Sequence, residues 1–377
     1  MPARTAGIAW KLGVEIELLA PRGVSRRSLA DACAAQCGGT VRTVWHQDSE
    51  PSKVPGSPVF HNLTPGFEAI DRHQQLIVRC VDDLTLQADL DRQAPPREGW
   101  WRVVSDDQRL LRMMSLHIDP ALPLPQAMLP LMPIFQGQLL PAEGGIYRIL
   151  DSAGAPLALA APLPGERERP CELITPPISS HHFQRIDALL QVARRLDFTL
   201  PAEGATHLHF DGAALCDSAT LASVVNLLSA WRGRLRRLCA TPASFRRVGE
   251  WPAELLATVN ADGFRHLSCE AALAQLGRLG LSKYCDFNLK NLVHPRGELR
   301  TLEIRILPAT LDGRQVVAAA ELFAAILRHC QRTLIPAGEA NLAWNAGEVA
   351  AFLDQLQLTK SGYRYWTEAL ARCSGGD

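Results

Sequence analysis

Apolar and polar residues alternate through KLGVEIELLA, residues 11–20, which predicts a strand with two unlike faces. Val14, Ile16 and Leu18 would point into a core. Glu15 and Glu17 would stand together on the opposite face, about 6.6 Å apart along the strand. Three more segments repeat the pattern. HLHFD sets His207, His209 and Asp211 against Leu208 and Phe210, and YCDFNL sets Asp286 and Asn288 against Cys285, Phe287 and Leu289. TLEIRI sets Glu303 and Arg305 against Leu302, Ile304 and Ile306. A solvated sheet face usually carries Thr, Ser, Lys and Gln. These four faces carry acids, imidazoles, an amide and one guanidinium, which are largely the ligand types of divalent metals. On one strand, solvent accounts for two glutamates. On four strands, a cation-binding sheet face accounts for them better, because buried carboxylates repel unless a cation compensates.

The rest of the chain reads as a mixture of helices and short strands. SRRSLADACAAQCGG predicts a helix capped by Ser25 or Ser28 and stopped by Gly38. Residues 47–66, rich in Pro, Gly and polar types, read as a loop. Strands are expected at 75–81 and 99–105, a hairpin within 145–161, and a strand at 171–178 stopped by two prolines. Residues 120–141 hold six prolines among apolar residues, so they pack without forming a long regular element. Helices are expected at 180–197, 217–239, in pieces up to 279, at 312–332 and at 346–371, with strands at 284–289 and 299–307. This order favours an α+β fold over regular βα alternation. Trp100, Trp101 and the proline-rich segment are read as core packing. WRGRLRRL (231–238) reads as a solvated helix face, and His181 and His182 as surface residues at a helix start.

The hydrophobic content of 47% suffices for a sizeable core, and the 39 basic and 39 acidic residues leave no overall field for nucleic acid or anionic lipid. No apolar run reaches membrane-spanning length and no signal pattern opens the chain, so a cytoplasmic protein without a membrane partner is expected. The ten cysteines are scattered without a C-x-x-C pair and are read as thiols. P-loop, G-x-G-x-x-G and H-E-x-x-H motifs are absent. H-x-H also occurs in metal-dependent hydrolases on (β/α)8 barrels, but about 170 residues remain after it, too few for most of a barrel of about 250.

GVEIEL, CELITPP, HLHFD, KYCDFNL and TLEIRILPATLD, in this order and spacing, resemble the putative amidoligase family. That family belongs to the carboxylate–amine ligases of the glutamine synthetase and glutamate–cysteine ligase superfamily. The resemblance runs from about residue 13 to residue 325. It implies a curved antiparallel sheet with a metal-binding polar face and helices on the other face. Residues 1–335 would form the catalytic domain and 336–377 a C-terminal helical extension. The implied activity is ATP-dependent joining of a small-molecule or peptide carboxylate to an amine through an acyl phosphate, with Mg²⁺ or Mn²⁺. By position, Glu15, Glu17, Glu172, His209 and Glu303 resemble metal ligands, with Glu303 and Arg305 the catalytic pair and Arg305 facing the transferring phosphoryl group. His207 is a second imidazole ligand or a partner that orients the first. Asn288 matches a family position for nucleotide or substrate. Lys283, Arg246 and Arg247 are candidates for binding phosphate or carboxylate. Asp211 either joins the polar face or caps the turn beyond it. A nucleotide-binding regulatory protein and a phosphotransferase on the same fold are the alternatives; retention of the carboxylates and the arginine favours the ligase.

Overall fold

A computed structural model describes residues 8–47, 59–245, 247–295, 300–338 and 344–374. Its strands, in chain order, are β1 (Leu12–Leu19), β2 (Thr40–Gln47), β3 (His61–Ile70), β4 (Leu76–Val81), β5 (Trp101–Ser105) and β6 (Gln138–Pro141). They continue with β7 (Tyr147–Leu150), β8 (Pro156–Pro162), β9 (Pro170–Ile174), β10 (Ala205–Asp211), β11 (Phe287–Asn288) and β12 (Thr301–Pro308). The fold is α+β, and the chain divides into two units. One comprises Met1–Glu15, Pro177–Leu190 and Ala205–Asp377; the other comprises Ile16–Pro176 and Gln191–Gly204.

The first unit carries the order β11–β12–β10–β1, with β12 antiparallel to both β10 and β11. The apolar faces predicted from alternation are buried: Val14, Leu208, Phe210, Leu302, Ile304 and Ile306 have no exposed surface. Helices Ser218–Leu238 and Gly313–Arg332 pack on each other, and the second also packs on β10. The first is capped by Asp217, whose side chain accepts from the Thr220 amide, and the second by Asp312, which accepts from Arg314. The expected helix at 346–371 is two helices, Ala346–Gln355 and Lys360–Ser374. The buried carboxylate of Glu321 holds the junction between them, accepting from the amide and hydroxyl of Thr359.

In the second unit the order is β1–β9–β4–β3–β5–β8–β7–β6, with β2 paired to β3. Here the loop reading of 47–66 needs correction at its end, because β3 already begins at His61, while 48–58 lie outside the described residues. Pro65 and Gly66 lower its strand propensity, but it is paired to β2 from Leu63 to Ile70 and to β4 and β5 over parts of its length, and these contacts outweigh propensity. A Cβ at Gly66 would lie 2.9 Å from Val81, so the close approach requires glycine. Trp101, Leu111, Met114 and Ile149 form this unit's core. The proline-rich segment contributes two short helices, Leu124–Met128 and Leu131–Phe135, whose Leu124, Met128 and Leu131 are buried there. Arg26 is fully buried, with its guanidinium donating to the carbonyls of Pro65 and Arg167 and lying over the Trp100 ring.

Two surface readings are corrected. In WRGRLRRL, Arg232 and Arg236 pair with buried Asp286, and Arg234 pairs with Glu348. His182 is buried, with its Nε2 3.0 Å from the Ile178 carbonyl. Both turn inward because their positive or polar atoms find a specific acceptor there, which helical periodicity alone does not encode.

Candidate functional site

Register lines up the polar face of the first unit. His209 of β10 stands opposite Glu303 of β12, and Asn288 of β11 stands opposite Glu303 on its other side. β1 brings Glu15 to the same cluster. Gly13, two residues earlier, leaves room for the imidazole, since a Cβ there would come within 3.3 Å of the His209 Cβ. The β10–β12 register shifts between Thr206 and Leu208, so that Arg305 and Ile306 together oppose His207. Such a bulge bends a strand and re-aims side chains. The Arg305 amide here donates to the Asp286 carbonyl at 2.9 Å.

The side chains converge. His209 Nε2 is 3.1 Å from Glu15 Oε1 and 4.0 Å from Glu303 Oε1. His207 Nδ1 lies 3.4 Å from Glu15 Oε2 and 3.6 Å from Glu303 Oε1. Arg305 Nη1 donates to Glu303 Oε1 at 2.5 Å, and Asn288 Nδ2 donates to Glu303 Oε2 at 2.6 Å. Asn288 Oδ1 in turn accepts from the Lys290 amide, so the amide is fixed at both ends and holds the Glu303 carboxylate in one orientation.

The electrostatics follow from this packing. Burial would push His209 down, but the carboxylates of Glu15 and Glu303 outweigh it and raise its pKa to about 9. Burial, with Arg305 nearby, pushes His207 down despite the same two carboxylates. Burial also opposes ionisation of Glu15 and Glu303. For Glu15 the two imidazoles reverse the effect, and for Glu303 His209, Arg305 and His207 do, so both carboxyls lie below their ordinary range. This cluster therefore stabilises added positive charge at His209.

A metal ion would find suitable donors at the same place. Glu15, His209 and Glu303 each offer a ligand atom within 4.8 Å of the other two. Two carboxylates and one imidazole suit a hard or borderline divalent ion such as Mg²⁺ or Mn²⁺. The proton that the site draws onto His209 marks where a cation is favoured, and the donor set fits one.

The other candidates lie as follows. Glu17 is buried on β1 and Glu172 half-buried on β9 opposite Val81, both in the second unit. Lys283 precedes β11, with its ammonium 5.3 Å from the centre of the Tyr284 ring. Arg247 is half-buried, and Arg246 lies outside the described residues. Asp211 caps the turn after β10, accepting from the Ala213 amide at 3.0 Å. Sequence reasoning missed Gly13 and the bulge. The adjacent apolar pair Ile306–Leu307, which breaks the alternation of β12, was the available signal for the bulge.

A family model described as putative amidoligase enzyme matches residues 9–327. No curated protein matches the chain.

Proposed function

Because the chain belongs to the putative amidoligase family, we propose that it is an ATP-dependent carboxylate–amine ligase of glutamine synthetase-like fold that activates its acid as an acyl phosphate. One observation carries the reading: Glu15, His209 and Glu303 bring three ligand atoms within 4.8 Å of one another, with Arg305 bonded to Glu303. Phosphoryl transfer to a carboxylate brings anions together, so compensating charge has to be in place beforehand.

Glu15, His209 and Glu303 would hold Mg²⁺ or Mn²⁺, which supplies positive charge for phosphate oxygens. To serve as a ligand His209 would give up its proton and use the Nε2 that faces both carboxylates. His207, neutral because burial disfavours its charged form, sets its Nδ1 at hydrogen-bonding distance from Glu15 and beside Glu303, and so helps to hold the Glu15 carboxylate in place. Arg305 adds a permanent cation whose planar fork matches phosphoryl oxygens. Asn288 keeps Glu303 turned toward the centre. The substrates are a small-molecule or peptide carboxylate and an amine.

The test is ³¹P NMR and mass spectrometry of protein incubated with ATP, Mg²⁺, amines and ¹⁸O-labelled carboxylic acids. Formation of ADP, transfer of one ¹⁸O into free phosphate, and an adduct lighter by one water support the reading. AMP and pyrophosphate would replace the acyl phosphate with an adenylate. Phosphate retained on the product would make the protein a phosphotransferase, and nucleotide binding without turnover would make it a regulatory binder. Nucleotide affinity measured by calorimetry should weaken strongly in EDTA; unchanged affinity would remove the metal from the reading.

A further inference from the structure

The turn that leaves β10 ends at Cys216, which follows the short 3₁₀ turn Gly212–Leu215. Cys269 is the first residue of the helix Cys269–Gly277, just after its cap Ser268. These two places are held together by Ser218, whose hydroxyl lies 3.0 Å from the Arg265 carbonyl and 2.9 Å from that of Leu267. Cys216 is two residues before the hydroxyl and Cys269 two residues after the second carbonyl, so the anchor brings the two segments side by side. The two thiols lie near enough to act on each other, and Cys216 Sγ donates to the Gly212 carbonyl at 3.3 Å.

Accessibility separates this pair from the other cysteines. Cys269 is exposed and Cys216 half-buried, so an oxidant can reach them. Cys80 and Cys171 also touch, but both have no exposed surface, and β4 and β9 set them on a diagonal. Diagonal Cα atoms on neighbouring strands are about 7–8 Å apart, longer than a disulfide spans without backbone movement. Cys239, close to Cys373, is buried.

We propose that Cys216 and Cys269 form a reversible dithiol–disulfide couple oxidised by a peroxide. The Cys269 thiolate attacks one peroxide oxygen, the O–O bond breaks, and hydroxide leaves to be protonated to water. Cys269 is then a sulfenic acid. The Cys216 sulfur attacks that sulfur, the S–O bond breaks as the S–S bond forms, and the hydroxyl departs as water with the Cys216 proton. Two thiols lose two electrons and two protons, and the peroxide is reduced to two waters. A dithiol reductant reverses the change by thiol–disulfide exchange.

The experiment treats the full chain, folded, with a small molar excess of hydrogen peroxide, followed by intact-mass measurement and non-reducing peptide mapping. The expected product has lost about 2 Da, carries one Cys216–Cys269 cross-link and returns to the starting mass with dithiothreitol. Cys216→Ser should leave Cys269 as a sulfenic acid that dimedone traps, and Cys269→Ser should abolish the cross-link, with circular dichroism confirming that both variants fold. Exposed Cys37 is the internal comparator. The proposal is overturned if wild type accumulates oxygen adducts on Cys269 or Cys37 without the cross-link, or if the bond forms at another pair. Identical oxidation products in Cys216→Ser and wild type would overturn it as well.

Discussion

Asp286 and Glu303 are both buried carboxylates of the first unit, 1% and 3% exposed, and the chain treats them in opposite ways. Asp286 receives two guanidinium groups from the helix Ser218–Leu238: Arg232 Nε at 2.6 Å and Arg236 Nη1 at 2.8 Å. One anion meets two cations, of which Arg232 also pairs with Glu250, so no added positive charge is required even though burial still pushes the Asp286 carboxyl above its ordinary range. Glu303 receives one guanidinium, from Arg305, but shares its surroundings with the second carboxylate of Glu15 and two imidazoles that are neutral at their ordinary pKa values. That neighbourhood is short of positive charge, and His209 takes up a proton in response. The two regions touch through the backbone, since the Arg305 amide donates to the Asp286 carbonyl. The lesson is that burial of a carboxylate does not mark a site; a deficit of compensating charge does.

Removing each member in turn tests this contrast. Asp286→Ala leaves two guanidinium groups without their shared anion and should lower the unfolding free energy by about 3–4 kcal/mol, measured by urea denaturation. The folded fraction should keep the parent's metal affinity, since the Arg305 amide bonds to the backbone of residue 286. A variant as stable as the parent would show that Asp286 is not a structural anchor.

The metal-free protein should lose stability as pH rises. His209 is raised from 6.5 to about 9, so its contribution is complete below pH 6.5 and disappears as pH climbs through 9. The linkage amounts to about 3 kcal/mol at most, at 1.36 kcal/mol per pKa unit. Saturating Mn²⁺ should flatten this slope, because the ion replaces the proton. Melts in EDTA that do not change between pH 6 and 9 would contradict the charge deficit.

Arg305→Lys keeps the charge but removes the fork, and turnover should fall by roughly 10²-fold with the melting temperature little changed. Near-normal turnover would make Arg305 only a partner of Glu303. Asn288→Ala frees one oxygen of Glu303, and Mn²⁺ affinity by calorimetry should drop about tenfold, in the range usual for groups that orient a ligand. The smallest effect is expected at Gly13→Ala, whose methyl group presses on the His209 Cβ; affinity should weaken by only a few-fold, and a change beyond about 1 kcal/mol would mean that β1 itself has moved.

The sequence by itself determined which face each site residue takes. In β1, β10 and β12, period-2 alternation places Glu15, His207, His209, Glu303 and Arg305 opposite a buried apolar row, and the burial of Val14, Leu208 and Ile304 matches it. It also determined the helix starts, because Ser25, Asp217 and Asp312 cap through local hydrogen bonds. Partners were decided only by the tertiary structure. YCDFNL reads as one polar face, yet its strand is two residues long: Asp286 turns to Arg232 and Arg236 from a helix some fifty residues earlier, while Asn288 turns to Glu303. The same arginines read as solvated because a helix pattern records spacing along one element and carries nothing about an acceptor contributed by another. β3 was hidden for a like reason, since strand pairing, a non-local interaction, overcame its proline and glycine. Faces are set by bond geometry within a few residues, whereas charge balance is summed over everything that packs nearby, and only the folded chain specifies that sum.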